Sequence, residues 1–292
     1  MEIKDKYIYA MGEGTDDAVK VNSGDTVVFY TNDCFNNQID SEEYVMDCLD
    51  WDHINPAAGP VYIEQAKAGD VLKVYIQDIE IAKEGTMCCL PENGVFGGDI
   101  TESSVKKLKV ENGICFFDNI PLPVKPMIGV IGVAPADGKV NCGTPGSHGG
   151  NMDNTKIAKG ATLYLPVFRD GAYFACGDVH AVMGDGEIMV SGVEIPAKVT
   201  VKLEVVKGCT IANPRLEDDE NIYTIASHSD IEQAVYTASK DMCGILQKHL
   251  GYGFNDAGML LSACGNLQFC QVVDPERTVR MAVPKTVCAK IL

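Results

Sequence analysis

The sequence is poor in basic residues and long apolar runs, and each shortage excludes a class of protein. It has 24 Lys and Arg against 41 Asp and Glu, which gives a formal net charge of −17. Nucleic acids and anionic membranes are bound through basic surfaces, so we expect neither as a partner. The longest uninterrupted apolar run, residues 127–134, is far too short to span a bilayer.

Several short motifs are also absent. No Gly-Lys-Ser/Thr occurs, and no Gly-x-Gly-x-x-Gly follows a predicted strand, so nucleotide cofactors are not expected. The Gly-x-Ser-x-Gly motif of many serine hydrolases is missing too. The twelve cysteines include no Cys-x-x-Cys pair. The N-terminal residues contain no apolar stretch, so we expect no signal peptide, a cytoplasmic location and cysteines that serve as small buried hydrophobes.

Short β-branched and aromatic runs separated by Gly and Pro turns dominate the first 212 residues. Clear examples are residues 26–30, 71–81 and 127–134. Short strands at this spacing predict a mainly β body, a jelly-roll-like β-sandwich over residues 1–212. We also expect a short helix over residues 41–50 and a strand pair formed by 187–195 and 197–206.

The pattern changes after Pro214. Apolar residues then recur at helical spacing between Ile231 and Leu246, and Ser229 with Glu232 forms a predicted capping box. A second, shorter helix and two strands complete the chain. Residues 213–292 are therefore predicted to form a small α+β lobe.

Two Gly-rich segments carry most of the chain's concentrated polar chemistry. Residues 143–154 read Gly-Thr-Pro-Gly-Ser-His-Gly-Gly-Asn-Met-Asp-Asn, and residues 177–187 read Gly-Asp-Val-His-Ala-Val-Met-Gly-Asp-Gly-Glu. Both are predicted loops, and loops of this kind often carry function. Two of the five histidines lie in them.

These segments offer a mixed set of imidazole and carboxylate ligands. We predict a divalent-metal site formed by His148, Asp153, Asp178 and His180, with zinc as the first candidate and calcium as the alternative. Asp178, Glu187 and Asp153 are the predicted catalytic carboxylates. The alternative is that these loops are structural turns whose carboxylates cap backbone N–H groups.

The same two segments resemble the acetamidase/formamidase family of short-chain amide hydrolases. Three more pieces fit that resemblance: Asn55-Pro-Ala-Ala-Gly-Pro60, residues 126–135 and Gln271-Val-Val-Asp-Pro275. The amide-rich residues 32–38 resemble a family segment that runs into the active site. Predicted substrate contacts are therefore Asn36 and Gln38, together with His53 and Asn151. The resemblance also implies at least a homodimer.

The resemblance implies hydrolysis of formamide, acetamide or a similar short aliphatic amide, with release of ammonia. A metal-activated water is our preferred nucleophile, since a metal lowers the pKa of water and polarises the carbonyl. A cysteine–lysine–glutamate site like that of nitrilases lacks a matching sequence context. The alternatives that stay open are hydrolysis of a related C–N compound and a non-catalytic β-sandwich that binds a small molecule or sugar.

Overall fold

The computed structural model describes all of residues 1–292 and shows a mainly β chain. Both α-helices lie near the C-terminus, so the predicted fold class is confirmed. Neither helix combines the length and the apolar character that crossing a membrane requires. All twelve cysteines are free, and eight of them are buried, as expected for small hydrophobes.

The strands are short, as the turn spacing predicts. In chain order they are β1 Glu2–Ile3, β2 Tyr7–Ile8, β3 Ala10–Met11, β4 Val19–Val21, β5 Thr26–Thr31, β6 Ala57–Ile63, β7 Val71–Ile81, β8 Glu84–Cys89, β9 Ser104–Glu111, β10 Ile114–Phe117, β11 Ile120–Pro123, β12 Met127–Gly132, β13 Val140–Asn141, β14 Gly149–Asn151, β15 Thr162–Pro166, β16 Phe174–His180, β17 Ala197–Val206, β18 Arg215–Glu217, β19 Asn221–His228, β20 Asn266–Gln271 and β21 Arg277–Pro284. The helices are α1 Ile231–Leu250 and α2 Phe254–Cys264.

Two large sheets share the main hydrophobic core. One has nine strands in the order β1-β5-β17-β7-β15-β18-β19-β21-β20. The other has the order β14-β12-β16-β6-β2, and β4 also pairs with β6. Phe29 of the first sheet and Phe174 of the second meet edge to face, with ring centroids 5.6 Å apart. Smaller sheets, β11-β10-β9-β8 and β13-β3, complete the body.

The two sheets differ in how their strands are buried. Side chains of β17 alternate between buried and partly buried positions over Ala197–Leu203, which is the period of a strand with one face on a core. Every residue of β16 is buried instead, because β12 and β6 flank it. This central strand nevertheless contains Asp178 and His180, so its buried polar groups need partners.

The C-terminal residues extend the nine-stranded sheet rather than forming a separate one. β18 pairs with β15, and β19, β21 and β20 follow it outward. The predicted boundary after residue 212 thus lies between two strands of one sheet. The helix α1 packs its apolar face on β19 and β21, and Gly251 ends it in the left-handed conformation.

Three local predictions are wrong. Residues 41–50 contain only a 3₁₀ turn, Met46–Cys48, rather than an α-helix. Residues 187–195 form no strand, because Glu187 and Val190 have positive φ angles that break the extended conformation. The N-cap of α1 is Asp230, whose side chain accepts from the Glu232 N–H, rather than Ser229.

The two Gly-rich segments are also more regular than predicted. Residues 149–151 form β14, and residues 177–180 are the end of β16. Alternate residues of a strand lie on the same face, so β16 presents Asp178 and His180 together. The loops proper begin where these strands end.

Candidate active site

The site lies where β16 ends and where the chain leaves β14. Asp178 and His180 belong to β16, whereas Asp153 follows β14 by two residues. Gly129 on the neighbouring strand β12 leaves room for them. A Cβ built at Gly129 would lie 2.4 Å from both Asp153 Oδ1 and Asp178 Oδ2, so a larger residue cannot occupy this position without displacing the carboxylates.

His180 and five carboxylates lie in one part of the fold, and we call the six residues the acidic cluster. They are Asp153, Asp178, His180, Glu187, Glu194 and Asp274. All are buried except Asp274, which is partly buried. His180 Nε2 lies 2.9 Å from Glu194 Oε2 and 3.5 Å from Asp178 Oδ1. Such a concentration of buried charge is rare unless a metal or a catalytic role accounts for it.

Several atoms of the cluster have no hydrogen-bond partner. They include both carboxylate oxygens of Asp153, Asp178 Oδ1, Glu194 Oε2 and His180 Nδ1. The short contact from His180 to Glu194 has an ion-pair distance but lacks hydrogen-bond alignment. Buried polar atoms are nearly always satisfied in folded proteins, so these oxygens fit a bound cation.

The ligand atoms fall into two compact groups. Those of Asp153, His180 and Glu187 lie within 4.8 Å of one another. The second group contains Cys34, Asp178 and Glu194, whose ligand atoms also lie within 4.8 Å of one another. Imidazole, carboxylate and thiol donors suit zinc and other first-row divalent ions. The residues present therefore fit a divalent metal.

Burial and mutual repulsion shift the protonation of the cluster. Desolvation, aided by neighbouring carboxylates, raises the pKa of Asp153 and of Glu187 well above the usual range. Desolvation also raises the pKa of Glu194 to about 7. Burial alone would lower the pKa of His180, but Glu194 and Asp178 raise it well above its ordinary value. A bound cation has the opposite effect, because it lowers the pKa of these carboxyl groups and favours their ionised forms.

The backbone at the site adopts an uncommon conformation. Asp153, Asp178 and Glu187 have φ angles of 42°, 53° and 49°. Val190 has a φ of 68°, which is a strong outlier for a β-branched residue. Left-handed non-glycine residues persist where the surrounding structure holds them, and they concentrate at functional sites. Three of the four are members of the acidic cluster.

A cavity of about 370 Å³ opens beside the cluster. Its lining includes Asp178, His180 and Glu187, together with apolar residues such as Phe35 and Leu90. A larger cavity of about 480 Å³ lies between residues 209–215 and α1 but contains no part of the cluster. The combination of a concave apolar surface with converging charged groups makes the smaller cavity the candidate active site.

The structure brings four of the predicted site residues together. Asp153, Asp178, His180 and Glu187 all lie in the acidic cluster. The predicted substrate contact Asn151 lines the cavity, where its Nδ2 donates to Asp274 Oδ2 at 3.0 Å. Their roles in metal binding, catalysis and substrate binding stay predictions.

His148, predicted as a metal ligand, lies outside both ligand groups. Its imidazole is buried against the turn, 3.1 Å from the positions that Cβ atoms would occupy at Gly146 and Gly150. Burial lowers the pKa of His148 to about 4, so this ring is neutral at ordinary pH. His148 Nε2 is buried without a hydrogen-bond partner, and the role of His148 as a metal ligand stays a prediction.

Asn36, Gln38 and His53 do not line the cavity, although Phe35 and Ile54, which are adjacent to Asn36 and His53, do. Asn36 donates to the Tyr9 hydroxyl, and Gln38 accepts from the Asp50 backbone N–H. His53 Nδ1 lies 2.6 Å from Asp50 Oδ2. These side chains order residues 32–54 in the structure, and their predicted contacts with substrate stay predictions.

Sequence reasoning missed three cluster or ligand residues: Glu194, Asp274 and Cys34. A signal existed for Glu194, because it is a charged residue between Val193 and Ile195 in an otherwise apolar segment. Asp274 lies in the Gln271–Pro275 stretch that contributed to the family resemblance. Cys34 carried no signal, since its approach to Asp178 depends on the fold.

The two cysteines that precede the Gly-rich segments are inert. Cys142 and Cys176 are fully buried, and burial raises the pKa of the Cys142 thiol to about 12. The pKa of Cys176 is raised for the same reason. Nucleophilic cysteines have depressed pKa values, so neither thiol is suited to attack a substrate.

The chain is similar to known proteins along its whole length. A sequence model of the acetamidase/formamidase family matches residues 13–141 and 140–289. The solved structure of an acetamidase from Bacillus halodurans is 40% identical, with a TM-score of 0.97 over 100% of this chain and 99% of that one. A predicted acetamidase/formamidase from Thermoanaerobacter tengcongensis is 46% identical, with a TM-score of 0.96 over 99% of this chain and 96% of that one.

A curated relative matches over a smaller share. A protein with a provisional formamidase name from Schizosaccharomyces pombe is 27% identical over an alignment 255 residues long, and the alignment covers 65% of this chain and 62% of the relative. The match thus spans less than two thirds of that relative's length.

Proposed function

The chain belongs to the acetamidase/formamidase family, and from this premise we propose that it hydrolyses primary amides, releasing ammonia, with formamide and acetamide as reference substrates. A single observation carries the proposal. The unpartnered oxygens of Asp153, Asp178 and Glu194 converge around His180 beside a cavity that a small molecule can enter. A divalent cation bound at such a site can promote amide hydrolysis, so the site agrees with the family to which the chain belongs.

We propose that Asp153, Asp178, His180 and Glu187 hold one divalent ion, with zinc ahead of calcium because an imidazole is among the ligands. When bound, such an ion polarises the amide carbonyl and lowers the pKa of water toward neutrality. The proposed ligand set keeps three of the residues predicted from the sequence and replaces His148 with Glu187.

A carboxyl group of the chain transfers the proton that moves during the reaction. The water oxygen bonds to the carbonyl carbon, the C–N bond breaks, and one proton moves from the water to the leaving nitrogen. Glu194 suits this transfer because it lines the cavity and its carboxylate lies 2.9 Å from His180 Nε2. Glu187, predicted for the same role, shares with Glu194 the backbone N–H of Gly192, at 3.1 Å and 2.9 Å.

The decisive experiment is ammonia release by the purified protein from formamide, acetamide and propionamide, before and after chelation. We expect turnover that chelation abolishes and that added zinc restores. Turnover that survives chelation would support amide hydrolysis as the function but would contradict a mechanism that requires a metal. The absence of turnover with every amide, in folded and zinc-loaded protein, would overturn the proposal. A homo-oligomeric state and a cytoplasmic location stay predictions from the sequence.

A further inference from the structure

The cavity beside the acidic cluster is much larger than a formyl or acetyl group requires. Its volume is about 370 Å³, which is the liquid volume of about a dozen water molecules. Acetamide has only four non-hydrogen atoms. A substrate of that size would leave most of the cavity to water.

Apolar side chains form much of the remaining lining. We call Phe35, Ile54, Leu90 and Val190 the acyl wall. Phe35 and Leu90 belong to a seven-residue hydrophobic cluster that is separate from the main core, and Ile54 packs against it. Apolar surface that faces a water-filled cavity gains free energy when a ligand covers it. The wall therefore favours a ligand with an apolar portion.

One end of the acyl wall lies next to the acidic cluster. The thiol of Cys34 lies within 4.8 Å of the ligand atoms of Asp178 and Glu194. Cys34 also belongs to the same hydrophobic cluster as Phe35 and Leu90. An amide whose carbonyl lies at the acidic cluster can thus extend its acyl group along the wall.

The conformation of Val190 supports a role for this wall. Its φ of 68° is costly for a β-branched residue, yet its backbone N–H is fixed on Glu187 O at 2.9 Å. Strain of this kind persists where function requires it. Here the strained backbone places Val190 in the cavity lining, three residues after Glu187 of the acidic cluster.

We propose that the preferred substrates are primary amides whose acyl group is larger than acetyl and apolar, namely an aliphatic chain of four or more carbons or a phenyl ring. The inference rests on the proposed amide hydrolysis and adds the substrate class. The acyl group lies on the acyl wall, and the C–N bond that breaks lies at the acidic cluster.

Steady-state kinetics with formamide, acetamide, butyramide, isobutyramide and benzamide tests the substrate class. We expect kcat/KM to rise about fourfold for each methylene added between acetamide and butyramide, chiefly through a falling KM. Benzamide is expected to exceed acetamide by about two orders of magnitude. A kcat/KM that falls steadily beyond acetamide would overturn the inference and leave the amidase function intact.

Binding can be measured without turnover. Trp51 is the chain's single tryptophan, and it lines the cavity. Fluorescence titration, excited where benzamide is transparent, gives the Kd of each amide. Tighter binding of benzamide than of acetamide, without hydrolysis of any amide, would support the wall and overturn the proposed function. Equal or weaker binding of benzamide would count against the wall.

A pair of matched variants locates the acyl group. Leu90→Phe fills the cavity and is expected to lower the benzamide-to-acetamide ratio of kcat/KM by about tenfold. Leu267→Phe makes the same change at an exposed residue outside the cavity and should leave this ratio unaltered. If Leu90→Phe fails to fold, Leu90→Ala replaces it, with an expected loss of benzamide affinity of about tenfold. An unchanged ratio or affinity in a folded Leu90 variant contradicts the proposal.

Discussion

Arg280 pairs with Asp185 across 2.5 Å, from a side chain that is only 1% exposed. The same guanidinium donates through Nη1 to Asn154 Oδ1 at 2.9 Å. Asn154 directly follows Asp153, and Asp185 lies two residues before Glu187. One buried cation on β21 therefore joins the two segments that carry most of the acidic cluster.

Replacing Arg280 should destabilise the protein strongly. Arg280→Met removes a buried guanidinium that donates to Asp185, Asn154 and Gln268, so we expect the free energy of unfolding to fall by about 1.5–3 kcal/mol. Arg280→Lys keeps the charge but cannot serve several acceptors with one planar fork, so its loss should be smaller. Urea unfolding measures both. A loss below about 1 kcal/mol for Arg280→Met would show that this pair does not tie the segments together.

Gly129 is the position where the smallest substitution should damage the site. A methyl group there would lie 2.4 Å from oxygens of Asp153 and Asp178. We expect Gly129→Ala to displace these carboxylates, to cost about 1–3 kcal/mol of stability and to weaken metal binding and amide hydrolysis together.

Gly98→Ala is the matched control for that variant, because no atom lies within 4 Å of its added Cβ. Metal content measured by mass spectrometry and ammonia release are the readouts. Gly129→Ala protein that binds metal and turns over amide like Gly98→Ala would contradict the geometry.

Strands were predictable from the sequence where the apolar, β-branched pattern of a segment agrees with its burial in the fold. Residues 71–81 and 197–206 are β-rich runs that form long central strands. Residues 187–195 have equally apolar composition, yet they form no strand because the acidic cluster requires Glu187 to adopt a left-handed conformation. Tertiary demands at a functional site overrode local propensity there.

The site was predictable in part for a similar reason. Asp178 and His180 stand two residues apart in one segment, so their proximity follows from sequence alone. Glu194 and Asp274 reach the cluster from distant parts of the chain, and no local spacing encodes that contact. His148 belongs to neither ligand group, so its role as a metal ligand, predicted from its Gly-rich loop, stays a prediction.

The two histidines of these segments should therefore differ in metal binding. His180→Gln removes the imidazole of the cluster, and we expect metal affinity to fall by about a hundredfold or more. His148→Gln changes a ring outside both ligand groups, so bound metal per chain should remain near the wild-type value. Metal content after dialysis against a fixed zinc concentration separates the two. Loss of metal from both variants would restore His148 to the ligand set.

The stability of the chelated protein should depend on pH with a defined sign. Desolvation raises the pKa of Glu194 from its ordinary 4.5 to about 7. The folded protein then holds this proton more tightly than the unfolded chain, so the free energy of unfolding falls as pH rises between these two values. His180 acts in the same direction, because its raised pKa gives a stability that is lost as pH rises through the folded-state value.

We therefore expect the Tm of the chelated protein to fall between about pH 5 and about pH 8, with Glu194 contributing roughly 3 kcal/mol. Glu194→Gln should flatten this dependence, whereas Glu102→Gln, at an exposed position, should leave it unchanged. Zinc should restore the Tm of the wild type most strongly at the alkaline end, since the cation balances the ionised carboxylates. A Tm that rises with pH after chelation, or an equal slope in Glu194→Gln, would mean that these carboxylates are not held as a desolvated cluster, and the cation site inferred from their unpartnered oxygens would lose its basis.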